Sequence, residues 1–384
     1  MKEIIFYIKE ILKLILKLEF KIFSIFALNS KKIVFCEGTN SKFSGNCRNI
    51  YENLKQKNYI FYLVELNKKQ NYDFIQNYNF YNLKSIYHLA TAKYWFADTG
   101  FLSFLPKRKN QKNIQLWHGA GAFKKFGFSE LNLKGIRYNK NQYKSIDLLT
   151  VSSDKIIDIY AEAFGIERKK VKNLGMPRAD IFFKEDEKLK VKEKFFNEYP
   201  ELKNKKIMMY APTFRDNDKG NFNLKLDVKL MKEKLEKLGY ILLLRLHPSI
   251  KKDNISVDNI FSYDFSKYKQ VSDLLIISDI LISDYSSIIF EFSIMKKPIL
   301  FYSYDVKEYI KDRGFYYNYY EFIPNKINYT TEEIIDSIIN KKWDLERIEK
   351  FARYFFNPFD GNSTERVLKE VGLWEEEKWY LEQF

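Results

Sequence analysis

Val271 to Tyr304 reads VSDLLIISDILISDYSSIIFEFSIMKKPILFYSY. Leu274, Leu275 and Ile277 fit a short helix, and Ile280 to Ile282 form a brief apolar strand. That strand ends in the polar cluster Ser283-Asp284-Tyr285-Ser286-Ser287. Ile288, Ile289, Phe292 and Met295 then recur at helical spacing until Pro298, after which Ile299 to Tyr302 begin another strand. A Ser-rich turn thus stands at the carboxyl end of a strand and opens a helix. Unpaired N–H groups and the helix dipole at such a place fit a phosphate. An ordinary N-cap, closed by the same Ser and Asp side chains, is the alternative.

The same alternation extends in both directions. Strands are expected at Lys32 to Cys36, Tyr59 to Glu65, Ala92 to Asp98, Asn113 to Trp117, Asp147 to Val151 and Val171 to Leu174. After a lysine-rich helix from Glu185 to Glu198, a second series runs through Lys206 to Tyr210 and Tyr240 to Leu246 into the opening stretch. Alternating β and α elements imply parallel sheets. The expected class is α/β, with two doubly wound Rossmann-like domains facing a cleft. The expected limits are 1–30 for an amphipathic helix, 31–190 for the first domain and 191–384 for the second. In such folds ligands bind beyond the carboxyl ends of the strands.

The chain of 384 residues is 46% hydrophobic, within the globular range, and carries a net charge of +15. That charge favours anionic partners, but no nucleic-acid motif is present and nucleic acid is not expected as a partner. Cys36 and Cys47 are the only cysteines, too few for a disulfide framework or a four-cysteine zinc site. His88, His118 and His247 are the only histidines, so imidazole chemistry must use one of them.

Residues 1–30 place Lys2, Lys9, Lys13, Lys17 and Lys21 on one arc of a helix and Ile4, Ile8, Ile11, Leu12, Ile15 and Leu18 on the rest. No charge-free run approaches the length of a bilayer span. The pattern fits a helix lying in a membrane interface or one packed on protein. Oligomeric assembly is left open.

Polar clusters follow several strands. Gln115-Leu116-Trp117-His118-Gly119-Ala120-Gly121 puts His118 among glycines, with Lys124 and Lys125 beyond as groups that could meet phosphate. Gly175-Met176-Pro177-Arg178 presents Arg178 on a rigid turn, and Tyr210-Ala211-Pro212-Thr213-Phe214-Arg215-Asp216 presents Arg215. In Arg245-Leu246-His247-Pro248, strand alternation puts Arg245 and His247 on one side. Arginine fits bidentate phosphate contact, and a structural ion pair is the alternative for each.

These clusters, with Asp360-Gly361-Asn362-Ser363-Thr364-Glu365-Arg366 and Phe43-Ser44-Gly45-Asn46, resemble in order and spacing the CDP-glycerol glycerophosphotransferases. That family includes teichoic-acid primases and polymerases and related capsule enzymes. The likeness runs from about Lys32 to Val367. Two departures stand out: Ala120-Gly121 replaces the usual Thr-Pro after His-Gly, and Cys47 stands where proline is common. Both are expected on the acceptor side.

The resemblance implies a GT-B-like fold, with the final helix returning toward the N-terminal domain, and peripheral attachment to the cytoplasmic face of the cell membrane. It implies transfer of a polyol phosphate from CDP-glycerol or CDP-ribitol to a hydroxyl of a lipid-linked acceptor, releasing CMP. His118 would be the general base, with His247 also catalytic. Arg215, Arg245, Ser286, Ser287, Asp284, Glu291, Arg178 and Arg366 would form the donor and phosphate site. No metal and no cofactor beyond the donor is demanded. The rival readings are a GT-B glycosyltransferase using a nucleotide sugar and a non-catalytic membrane-surface binding protein.

Overall fold

The structure, a computed structural model, describes residues 2–38, 43–66, 71–130, 142–213, 215, 224–246 and 257–374, with residues 2–6 as backbone only. The chain forms two compact units. The first comprises Met1–His118, Tyr138–Asp180 and Asp360–Phe384, and the second Gly119–Arg137 and Ile181–Phe359. Between them the chain crosses at Asp180/Ile181. Two segments also leave the half of the sequence in which they lie: Gly119–Arg137 joins the second unit, and Asp360–Phe384 joins the first.

The first unit is built on β1 (Asn29–Glu37), β2 (Ile60–Glu65), β3 (Gln76–Asn79), β4 (Ala92–Ala97), β5 (Lys112–Gln115), β6 (Leu148–Val151) and β7 (Val171–Asn173). They pair in the order β3-β2-β1-β4-β5-β6-β7, all parallel. The order reverses between β1 and β4, the switch point of a doubly wound sheet. Alternation along β1 feeds two cores. Ile33 and Phe35 pack with Ile50, Tyr51 and Leu54 of α2 (Gly45–Leu54) and with Val367, Leu368 and Val371 of the final helix, Ser363–Val371. Val34 and Cys36 pack on the other face with Ile86, Leu89 and Ala90 of α3 (Leu83–Thr91) and with Leu16 and Phe20 of α1 (Lys2–Phe23). Because both faces are covered, the interior strands read as continuous apolar runs.

α1 therefore packs on protein along one edge, with Phe20 meeting Trp95 edge to face at 5.8 Å. Several of its other apolar residues are open: Ile11 is 56% exposed, Leu14 64% and Leu18 60%. Among the described residues no helix is long and apolar enough to cross a membrane.

The second unit repeats the plan with β8 (Lys206–Ala211), β9 (Tyr240–Leu244), β10 (Ser262–Asp264), β11 (Ile280–Ser283), β12 (Ile299–Tyr302) and β13 (Ile327–Asn328). Their order is β10-β9-β8-β11-β12-β13, again all parallel. The switch point lies between β8 and β11, where Ala211 is in register with Ser283. One face packs Met208, Tyr210, Leu242, Ile280, Ile282 and Leu300 against helices Val228–Leu235 and Thr331–Ile339.

In the first unit the final helix is held by a carboxylate from a distant turn. Asp180 accepts from Ser363 N at 2.9 Å, Thr364 N at 2.8 Å and Thr364 Oγ1 at 2.7 Å. Those N–H groups belong to the helix's otherwise unpaired first turn. Asp180→Asn places an amide where only acceptors fit and should cost about 1–3 kcal/mol. The melting temperature of the full chain checks this; an unchanged value means that the latch does not hold the helix.

Candidate active site

The carboxyl edge of the second sheet is closed around one guanidinium. Arg215, just beyond β8, pairs with Asp305 through Nε at 2.8 Å and Nη2 at 3.0 Å, and with Asp284 through Nη1 at 2.8 Å. Asp284 also accepts from Thr213 N at 2.8 Å, and Ser283 Oγ donates to the Ala211 carbonyl at 2.7 Å. Three strand ends, those of β8, β11 and β12, are thereby tied together. The Arg215 guanidinium carbon lies 5.0 Å from the ring centroids of both Tyr285 and Tyr309, which stack at 3.8 Å. The Tyr285 hydroxyl donates to Asp305 at 2.9 Å. Burial alone would lower the Arg215 pKa, but Asp284 and Asp305 outweigh it and raise it further above its ordinary value. Burial and the Asp305 charge push Tyr285 up as well.

Above this clamp lies the Ser-rich turn. Asp284 is buried with its oxygens committed inward, whereas Ser286 and Ser287 are half-buried. The N-cap alternative finds little support. Ser287 makes no side-chain cap bond to the helix Ile288–Ser293, and Ser286 Oγ reaches Ile288 N only at 3.5 Å. Glu291 is buried on that helix at 4% exposure. Arg245 donates through Nη1 to the Phe265 carbonyl at 3.0 Å and to the Ser266 carbonyl. His247 lies outside the described residues.

His118 belongs to the first unit, at the end of the segment that follows β5. Trp117, immediately before it, has φ +55°, a left-handed conformation rare for a bulky residue. Asn46 fixes that turn: its Nδ2 donates to the Trp117 carbonyl at 2.8 Å, and its Oδ1 accepts from Arg178 N at 2.9 Å. Such strain is retained where the surroundings over-determine it, here to aim the next side chain. The His118 ring is exposed and lies 4.2 Å, centroid to centroid, from the Trp117 ring. Its Nδ1 is 3.0 Å from the Asp98 carbonyl. A carbonyl only accepts, so the neutral ring carries its proton on Nδ1 and keeps the Nε2 lone pair available. Although one edge of the ring is open, the protein packed around the rest of it desolvates the imidazole and lowers the His118 pKa; the Asp98 carbonyl opposes this, and the Arg178 charge lowers it further. In the same unit the Glu37 carboxyl is buried and that of Asp98 half-buried. Burial first, and then the Asp98 charge, hold Glu37 well above the carboxylate range, and burial brings Asp98 to about 7.

The residues expected to hold a donor divide between the units. Arg215, Arg245, Asp284, Ser286, Ser287 and Glu291 lie in the second; Arg178 and Arg366 lie with His118 in the first. Arg366 is engaged structurally. It donates through Nε to the Leu174 carbonyl at 3.1 Å and through Nη1 to both Asp360 oxygens, at 2.8 and 2.6 Å. Arg215 and Asp284 likewise build the site's floor with each other. Asp305 and Tyr309 of the clamp are not marked by the sequence, and Tyr285 stands in the Ser-rich cluster without a role assigned to it. Asp305 follows a strand's carboxyl end, the same signal that marked the other clusters.

The comparisons bear on what this arrangement serves. Residues 18–373 match the model of the CDP-Glycerol:Poly(glycerophosphate) glycerophosphotransferase family. The chain belongs to this family. It is 36% identical over 378 residues to the teichoic acid poly(ribitol-phosphate) polymerase of Bacillus spizizenii, covering 94% of this chain and 59% of that protein. It is 36% identical over 353 residues to the teichoic acid ribitol-phosphate primase of the same organism, covering 88% and 89%. A solved structure of the wall teichoic acid polymerase TagF, a variant soaked with CDPG, superposes with a TM-score of 0.81 at 25% identity over 97% of this chain and 96% of that one. The GT-B-like α/β fold expected from the sequence is thus shared with a family polymerase.

If the Arg215 clamp is structural, lysine cannot replace it, since a point charge cannot hold two carboxylates in fixed forks. Arg215→Lys should cost roughly 2–4 kcal/mol, because Asp284 or Asp305 is left buried without a full partner. Urea unfolding of the full chain reads this; a variant as stable as the wild type would return Arg215 to the role of a free phosphate ligand.

Proposed function

We propose that the protein transfers a polyol phosphate, glycerol phosphate or ribitol phosphate, from its CDP-activated form to a hydroxyl of a lipid-linked acceptor in teichoic acid or related capsule synthesis. Family membership over residues 18–373 carries this reading. The acceptor oxygen attacks the phosphorus that bears the polyol. A new P–O bond forms, the bond to the bridging oxygen breaks, and CMP leaves with that electron pair. His118 Nε2 takes the acceptor's proton, with Nδ1–H held on the Asp98 carbonyl. A pKa below the ordinary imidazole value keeps that base neutral at physiological pH. The Ser286–Ser287 turn above the Arg215 clamp holds the diphosphate, where N–H groups and hydroxyls can meet charge spread over phosphoryl oxygens. His247, Arg245 and Glu291 complete the donor side, and Arg178 serves the His118 side.

His118→Ala should lower CMP release by a factor on the order of 10²–10⁴ while donor binding persists. Incubation with CDP-glycerol, CDP-ribitol and common nucleotide sugars, with products weighed by mass spectrometry, reads both points. Near-normal CMP release by the variant removes His118 as base. Release of a nucleoside diphosphate from a sugar donor favours the glycosyltransferase reading, and no turnover by the wild type favours the non-catalytic one.

We further propose that α1 rests on the anionic cytoplasmic face of the cell membrane. Ile8, Ile11, Ile15, Leu18 and Ile22 are exposed on a helix that also carries Lys9, Lys13, Lys17 and Lys21. Apolar side chains and lysines on one interfacial helix fit a negatively charged lipid surface. Deleting the helix would also strip Leu16 and Phe20 from the core of the first unit, so substitution is the cleaner test. Ile11→Ser, Ile15→Ser and Leu18→Ser together should release the protein from phosphatidylglycerol vesicles without lowering its melting temperature. Unchanged co-sedimentation rules out this attachment.

A further inference from the structure

The segment after His118 does more than connect. Gly119–Arg137 belongs to the second unit, and its described part is sewn there by main chain and rings. Lys124 forms an antiparallel bridge with Phe315; Lys125 N donates to the Gly314 carbonyl at 3.1 Å and Tyr316 N to the Phe123 carbonyl at 3.0 Å. Phe123 is the anchor, stacked with Phe315 at 4.8 Å, Phe322 at 4.9 Å and Tyr319 at 5.7 Å. Gly121 sets the approach, with φ +62° and no room for a Cβ against the Phe290 ring. Residue 124 therefore has a fixed address in the second unit.

That address adjoins the Arg215 clamp: Phe315, bridged to Lys124, has its ring 5.9 Å from the Tyr285 ring, and Tyr319, stacked on Phe123, donates its hydroxyl to the Asp284 carbonyl at 3.3 Å. The charges acting on the Lys124 ammonium are Asp284 first, then Arg313, Arg215 and Glu130. Asp284 and Arg215 already serve each other, and Arg313 lies 3.6 Å from Glu130. Lys124 forms no ion pair among the described residues. The neighbouring Lys125 is exposed. A half-buried ammonium set among other cations, with the carboxylate that acts on it most already paired to Arg215, is costly unless an anion arrives.

We propose that Lys124 is a ligand of the donor's diphosphate, supplying the charge that the clamped Arg215 does not. This deepens the donor reading above and rests on it. Burial pushes the Lys124 pKa down to about 8, against the pull of Asp284. The depressed value fixes the sign of the pH effect: the ammonium is charged below that pH and loses its charge as pH rises through it, so diphosphate affinity falls in the same interval.

The test is calorimetric binding of CDP and of cytidine to the full chain, for wild type, Lys124→Met, Lys124→Arg and Lys125→Met, between pH 6.5 and 9.5. Lys124→Met should weaken CDP at least tenfold at pH 7 and leave cytidine unchanged. Lys124→Arg should restore most of the CDP affinity and abolish the decline above pH 8, and Lys125→Met should match the wild type. CDP affinity unchanged in Lys124→Met, or a lowered melting temperature with unchanged affinity, overturns the proposal and leaves the donor reading standing. A wild type that binds neither CDP nor a CDP-polyol overturns both.

Discussion

One guanidinium between two carboxylates organises the carboxyl edge of the second sheet. Parallel strands deliver their ends to a single edge, and the loops that follow would otherwise be held only by turns. Arg215 joins the loops after β8, β11 and β12 through Asp284 and Asp305, and the stacked rings of Tyr285 and Tyr309 lie beside it. Burying such a set is costly for each ion alone, so the members depend on one another. The Ser286–Ser287 turn inherits its position from this clamp, because Asp284 is fixed immediately before it.

Interior strands were legible because both of their faces are buried. Ile33 to Cys36, Met208 to Tyr210 and Ile280 to Ile282 are apolar runs for that reason. The strands that escaped the sequence reading are β3, β10 and β13, all at sheet edges. β3 reads Gln-Asn-Tyr-Asn and β13 is two residues long, so neither carries an apolar run. The polar clusters were legible as a class, since polar runs at strand ends announce themselves. Which arginine is already spent was not. Arg215, Arg245 and Arg366 look alike in sequence, yet a carboxylate or carbonyl distant in the chain occupies each of them: Asp305, Phe265 and Leu174 respectively. Likewise, nothing in the sequence marks Gly119 as the point where the chain changes unit; that follows from Phe123 finding Phe315, Tyr319 and Phe322.

The departures from the family pattern read differently once placed. Cys47 is buried in α2 with its thiol toward the Phe96 carbonyl at 3.5 Å, a packing position in the first unit. Ala120-Gly121, expected on the acceptor side, lies instead in the second unit. Proline cannot adopt the φ of +62° found at Gly121, because its ring holds φ near −65°. The backbone path taken at Gly121 is therefore closed to a proline at that position. The partner of Gly121 is Phe290, on the helix that follows the Ser-rich turn, whose ring fills the space a side chain at position 121 would need. Phe290 in turn meets Phe322, Phe351 and Phe355. Glycine at 121 and phenylalanine at 290 are thus one packing solution: a large ring on the helix after the Ser-rich turn, and a main chain passing close to it to carry Phe123 and Lys124 to their places.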